Sequence, residues 1–157
     1  MPLMQDDAGW VQRAIALSAE SRAQGNHPFA SLVVAADGEI LAQAFNAHRI
    51  DCTCHAEMNA VRLASAKLPA SALRTATLYS SAEPCAMCAG GIYWSGIGRV
   101  AYALSEARLL TITGNHPENP TLSLPCREVL ARGQRPIEVI GPMFEDAAAA
   151  VHAGFWD

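Results

Sequence analysis

Thr75-Ala76-Thr77-Leu78-Tyr79-Ser80-Ser81-Ala82-Glu83-Pro84-Cys85-Ala86-Met87-Cys88 is the stretch on which the fold turns. Thr75 to Ser80 reads as a strand. Pro84 suits a position at or just before a helix start, where its missing N–H is not needed. A helix is expected from Cys85 to about Ser95, with Gly96 as its stop. One helical turn separates Cys85 from Cys88, so both sulfurs can face one point. The positive helix end and its unpaired N–H groups favour thiolate over thiol at both positions.

Thirty residues earlier stands Cys54-His55-Ala56-Glu57, again at an expected helix start, with Asp51 to Thr53 able to cap it. The two segments together offer one imidazole, two thiolates and a spare carboxylate. That inventory suits zinc. Three protein ligands, His55, Cys85 and Cys88, leave the fourth tetrahedral position open, and the metal lowers the pKa of water there from about 15.7 to roughly 7. Glu57, two residues beyond the histidine, is placed to move protons and not to ligate. A thioredoxin-like redox pair would leave His55 and Glu57 without a role. A structural zinc would need a fourth protein ligand, for which Cys52 is the nearby candidate, since Cys54 directly precedes His55.

Working outward, Asp7 to Ala23 repeats apolar residues at helical spacing, with Asp6 or Asp7 as its cap. Phe29 to Ala35 and Glu39 to Phe45 read as strands joined by the hairpin signal Asp37-Gly38. Arg99 to Leu104 and Ile137 to Ile140 are further strands. Helices are expected at Ser105 to Thr113, Leu124 to Ala131 and Met143 to Ala153, with a loop from Gly114 to Pro120. The pattern is α/β: a three-layer α/β/α sandwich around a five-stranded, mostly parallel sheet, in one domain spanning 1–157.

Composition bounds the function. The 157 residues carry eleven Lys plus Arg against fifteen Asp plus Glu, and Lys67 is the one lysine. Binding a folded nucleic acid relies on basic side chains to neutralise phosphates, so the acidic balance argues against such a substrate. No apolar stretch is long enough to span a bilayer, and residues 1–7 lack the order of a signal peptide. Five cysteines, an odd number with two assigned to metal, fit a reducing compartment, and the cytoplasm is the expected location. His27, His48, His116 and His152 have no motif companions and read as surface or turn residues; Cys126 reads as core.

The joint H-x-E and P-C-x-x-C pattern is a signature of zinc nucleobase deaminases. On these motifs, with Pro28-Phe29-Ala30 and Asn46, the chain resembles the cytidine and deoxycytidylate deaminase superfamily over roughly half its length, Pro28 to Tyr102. Within it the chain is similar to the branch of guanine deaminases and tRNA adenosine deaminases. The run Ser80 to Cys85, followed by Ile92-Tyr93-Trp94, looks closer to the former. Where relatives often carry Asp-Pro-Thr-Ala before the histidine, this chain has Asp51-Cys52-Thr53-Cys54.

The resemblance implies a cytidine deaminase-like fold, a bound Zn2+ and hydrolytic release of ammonia, with Glu57 as the catalytic proton carrier. It implies that Asn46 holds a base edge, against the plain reading of a turn asparagine, and that Phe29 forms the pocket wall and not merely core. The N–H of Ala56 and the C=O of Pro84 or Ser81 are the implied hydrogen-bond sites for substrate. Trp94 either packs on the substrate or anchors its helix in the core. Phe155-Trp156 folds over a pocket, crosses an interface or packs on its own domain. A homodimer is implied, with Ala89 to Trp94 as a close-packing face. The expected substrate is a small purine-type free base. A cytosine, nucleoside or tRNA-adenosine deaminase is the alternative within the class, and a catalytically silent zinc-stabilised interaction module the alternative outside it.

Overall fold

A computed structural model describes residues 6–157 of the chain. Most of the acidic start, residues 1–5, on which the signal-peptide reading rests, lies outside them. The order is α1 (Asp7–Ala23), β1 (Ala30–Val34), β2 (Ile40–Phe45), α2 (Ala56–Lys67), α3 (Ala70–Leu73), β3 (Thr77–Ala82), α4 (Ala86–Ser95), β4 (Arg99–Leu104), α5 (Glu106–Thr113), α6 (Cys126–Ala131), β5 (Glu138–Ile140) and α7 (Glu145–Ala150).

The five strands form one sheet in the order β2-β1-β3-β4-β5. The expected three layers and five strands are present, in a mixed sheet where β2, β3, β4 and β5 share one direction and β1 opposes them. β1 runs antiparallel to both β2 and β3, while β3–β4 and β4–β5 are parallel. The reason lies in the connections. The Asp37-Gly38 turn, with Gly38 at φ +91°, reverses the chain into β2. The crossover through α2 then gives β3 the direction of β2, yet β3 inserts beside β1 and so opposes it.

Strands covered on both faces are near-continuously apolar, and β1 and β3 are buried at every position. Val33, Leu78, Val100 and Tyr102 pack towards α2, α3, α4 and α6. Leu32, Tyr79, Ala101 and Ala103 pack towards α1, α5 and α7. Asp7 fastens the start of α1 to the sheet, accepting from the Tyr79 hydroxyl at 2.6 Å and pairing with Arg99 at 3.0 Å. Asp6 caps that helix by accepting from Gly9 N–H at 2.9 Å. α4 ends at Gly96, whose φ of +94° and close approach to the Ala70 carbonyl leave no room for a Cβ. The closing helix is shorter than expected: α7 stops at Ala150 and gives way to turns. α3, four residues after Pro69, was not foreseen.

Candidate zinc site and its cavity

The ends of β1 and β3 and the starts of α2 and α4 meet at one place. His55 is the N-cap of α2 and Cys85 the N-cap of α4, both with extended backbone, and Cys88 lies in the first turn of α4. Asp51 does not cap α2 as expected; its carboxylate closes a local turn by accepting from the N–H and hydroxyl of Thr53. The cap position is left to the histidine, which frees its ring for other work. His55 Nδ1 lies 3.5 Å from Cys85 Sγ and 3.6 Å from Cys88 Sγ. Zinc–nitrogen and zinc–sulfur bonds of ordinary length at a tetrahedral angle predict an N···S edge of about 3.6 Å. The three donors therefore fit zinc, and neither Cys52 nor Cys54 joins them, so the fourth position is open. Cys88 donates to Cys85, which takes the Cys85 thiol down to about 4, with His55 assisting. The same contact and burial push the Cys88 thiol up.

Glu57, in the first turn of α2, is 5% exposed. Ser80 Oγ donates to its Oε1 at 2.7 Å, and Ser31 Oγ stands 3.4 Å from the same oxygen. Ser31 and Ser80 are cross-strand neighbours in β1 and β3, and their hydroxyls are 3.0 Å apart. Burial raises the Glu57 carboxyl above its ordinary range, against the pull of His55 and Ser80. A general acid–base group must both take and give a proton, and a carboxyl shifted upward holds its proton more readily than a free one. Sequence reasoning assigned no role to either hydroxyl; the one available signal was a polar residue inside an otherwise apolar strand.

The site opens into a cavity of ≈ 550 Å³, within the range of small-molecule pockets. His55, Ala56, Glu57, Cys85, Asn46 and Phe29 line it. Asn46 is 4% exposed; its Oδ1 accepts from His48 N–H at 2.9 Å, and its Nδ2 has no bond among the described residues. Ala56 N–H, in the first turn of α2, has no acceptor within the helix. Two expected residues lie elsewhere. Pro84 is buried between Glu83 and Cys85 without lining the cavity. Trp94 is 81% exposed, so it does not anchor α4 in the core, and it does not line the cavity. The apolar core beneath α4 is already filled by Ala89 and Ile92.

The remaining wall was not foreseen. Residues 117–122, inside the stretch read as a plain loop, line the cavity. Glu118 holds them there: its Oε1 lies 3.2 Å from His27 Nε2 and 2.7 Å from His48 Nε2, and those two rings stack at 3.7 Å. His27 and His152 are 5% and 2% exposed, so neither is a surface residue, though His152 does lie in the turns that follow α7. Trp156 donates to His152 Nδ1 at 3.0 Å and packs on His27 and Phe29. The aromatic tail thus packs on its own domain and backs the cavity wall. Glu83 joins the two sides, accepting from the N–H of Glu106 at 3.0 Å and of Cys126 at 2.9 Å, the first residues of α5 and α6. Cys126 is core, as expected.

A three-ligand zinc site beside a buried, hydroxyl-held carboxyl is the constellation of a metal-assisted hydrolase. Comparison with known proteins narrows it. Residues 4–104 match the model of the cytidine and deoxycytidylate deaminase zinc-binding region. A Schizosaccharomyces pombe protein named "Probable cytosine deaminase" is 40% identical over 99% of this chain and 95% of its own length. Bacillus subtilis guanine deaminase is 40% identical over 60% of this chain and 62% of its own. Among solved structures, guanine deaminase from Nitrosomonas europaea superposes with a TM-score of 0.76 at 29% identity, covering 96% of this chain and 84% of that one. The protein NE0047 in complex with 2,6-diaminopurine gives 0.78 at 29% identity, covering 94% and 80%. The chain belongs to the cytidine and deoxycytidylate deaminase family, and it is a zinc-dependent hydrolytic nucleobase deaminase.

Proposed function

We propose that this chain, as one domain over 1–157, releases ammonia from a purine-type free base of the guanine kind. The observation that carries the reading is Glu57, buried and held by Ser80, next to the His55, Cys85 and Cys88 donor set on a cavity of ≈ 550 Å³. Zinc, when bound, supplies Lewis acidity and an activated water at the open position. Glu57 takes the proton that water gives up and delivers it to a ring nitrogen. It then takes the second proton of that water and gives it to the departing amine, so water and the aminated base become the oxo base and ammonia. Asn46, with one amide half fixed by His48 N–H, presents Nδ2 to the ring; Ala56 N–H is a second donor. Phe29, backed by Trp156, supplies the flat wall.

The neighbouring structures, a guanine deaminase and a complex with 2,6-diaminopurine, support a purine. The name of the S. pombe relative favours a second reading, a cytosine deaminase. Ammonia release from guanine, adenine, cytosine and their nucleosides separates the two: preference for guanine carries the first, preference for cytosine the second. Neither involves RNA; the formal net charge is −4. Among the described residues no helix is long and apolar enough to cross a membrane, and all five cysteines are unpaired, which fits the cytosol. We further propose a homodimer built on α4, where Trp94 stands out to solvent.

A further inference from the structure

Four carboxyls line the cavity: Glu57, Glu83, Glu106 and Glu118. Three are engaged by the protein. Glu57 accepts from Ser80, Glu83 accepts from two helix-start N–H groups, and Glu118 is held between His27 and His48. Glu106 is different. Its own N–H is tied to Glu83, and Ser105 caps α5 beside it by accepting from Arg108 N–H at 3.2 Å. Ser105 is in turn fixed by Glu145, to which its N–H and hydroxyl both donate. The backbone that carries Glu106 is therefore pinned from two sides. Its carboxyl nonetheless has no hydrogen bond among the described residues. The residue is part-buried on the cavity wall, and a pinned carboxyl with no protein partner there is available to a ligand. Burial, with the negative charge of Cys85, Glu83 and Glu57, pushes this carboxyl up to about 8. Charged or neutral, it offers a hydrogen-bond acceptor to the cavity.

We propose that Glu106 is a substrate-contacting residue that selects a free base over its nucleoside, by hydrogen-bonding the ring N–H that ribose replaces. The inference rests on the reading of the chain as a nucleobase deaminase. The chemistry of the ligand supports it. The amine that leaves belongs to Glu57 and the zinc ligands, and Asn46 and Ala56 already supply donors. What the cavity has to spare is an acceptor, and the free base has to spare an N–H at the glycosidic position. A nucleoside lacks that hydrogen, so it would leave Glu106 unpaired and would press its sugar on a wall closed by residues 117–122. Sites built to hydrogen-bond a group reject analogues lacking it far more strongly than apolar pockets reject a size change.

The test compares the wild-type protein with Glu106→Ala and the isosteric Glu106→Gln, each at full zinc occupancy and wild-type Tm. The expected result for Glu106→Ala is a fall of tenfold or more in kcat/KM on the free base, chiefly through KM. The nucleoside should change less than threefold, so the base-to-nucleoside preference collapses; Glu106→Gln should keep most of it. Equal losses on base and nucleoside, or an unchanged preference in Glu106→Ala, would overturn the proposal. Calorimetric binding of 8-azaguanine separates it from the wider reading. A wild-type protein that turns over no base yet binds 8-azaguanine tenfold more tightly than Glu106→Ala sinks the deaminase reading and sustains the contact. Equal binding by both sinks the contact.

Discussion

Ser80 Oγ donates to Oε1 of Glu57 at 2.7 Å across the gap between the central strand β3 and the first turn of α2. The strand thereby fixes where the proton carrier points. Hydrogen bonds to charged groups are worth about 1.5–3 kcal/mol, so Ser80→Ala should lower kcat by roughly 10- to 100-fold. Zinc content should stay at one per chain, because Ser80 touches no ligand. Steady-state kinetics with metal analysis checks this; unchanged kcat would mean that Ser31 alone orients the carboxyl.

Glu57→Gln keeps the shape and burial of the side chain but ends its proton transfer. General acid–base catalysis typically contributes about 10²–10⁴-fold, and a loss of that size is expected with bound zinc retained. Rate measurement alongside metal analysis decides it, and near-wild-type turnover would remove Glu57 from the mechanism.

His152 makes the fold acid-sensitive. Burial, with the Arg22 charge adding, lowers its pKa from 6.5 to about 4. The unfolded chain takes up this proton as pH falls through about 6.5, while the folded chain refuses it until about 4. Stability therefore falls with pH across that window and levels below it, by on the order of 3 kcal/mol at most. Melting curves between pH 7 and 4 should show this slope in the wild-type protein and a shallower one in His152→Leu. Equal slopes would place the acid sensitivity elsewhere.

Trp94 is 81% exposed on α4, the helix proposed as the dimer interface. Sedimentation at micromolar concentration should give a dimer for the wild-type chain and a monomer for Trp94→Glu, with zinc retained in both. A wild-type monomer would remove α4 as an interface.

The ligand set was legible in the sequence because metal chemistry demands particular residue types at tight spacing: Cys85 and Cys88 one turn apart, His55 and Glu57 on one helix start. Most elements were legible too, since Asp37-Gly38, Pro84 and Gly96 mark their own turns and ends. The strand order was not: the Asp37-Gly38 turn announces the antiparallel β1–β2 pair, but nothing local announces that β3 inserts beside β1 and opposes it too. The far wall was invisible for a related reason. His27, His48 and Glu118 are up to 91 residues apart, and no local spacing announces their contact. Trp94 misled because an aromatic residue on an apolar helix reads as core whichever way it faces.

Ammonia release by the zinc-loaded protein across free bases and their nucleosides tests the central claim most directly. We predict turnover of one free base, lost on chelation and restored by added zinc. Full zinc occupancy with no ammonia from any base or nucleoside would contradict the account and leave the chain a silent zinc-stabilised module.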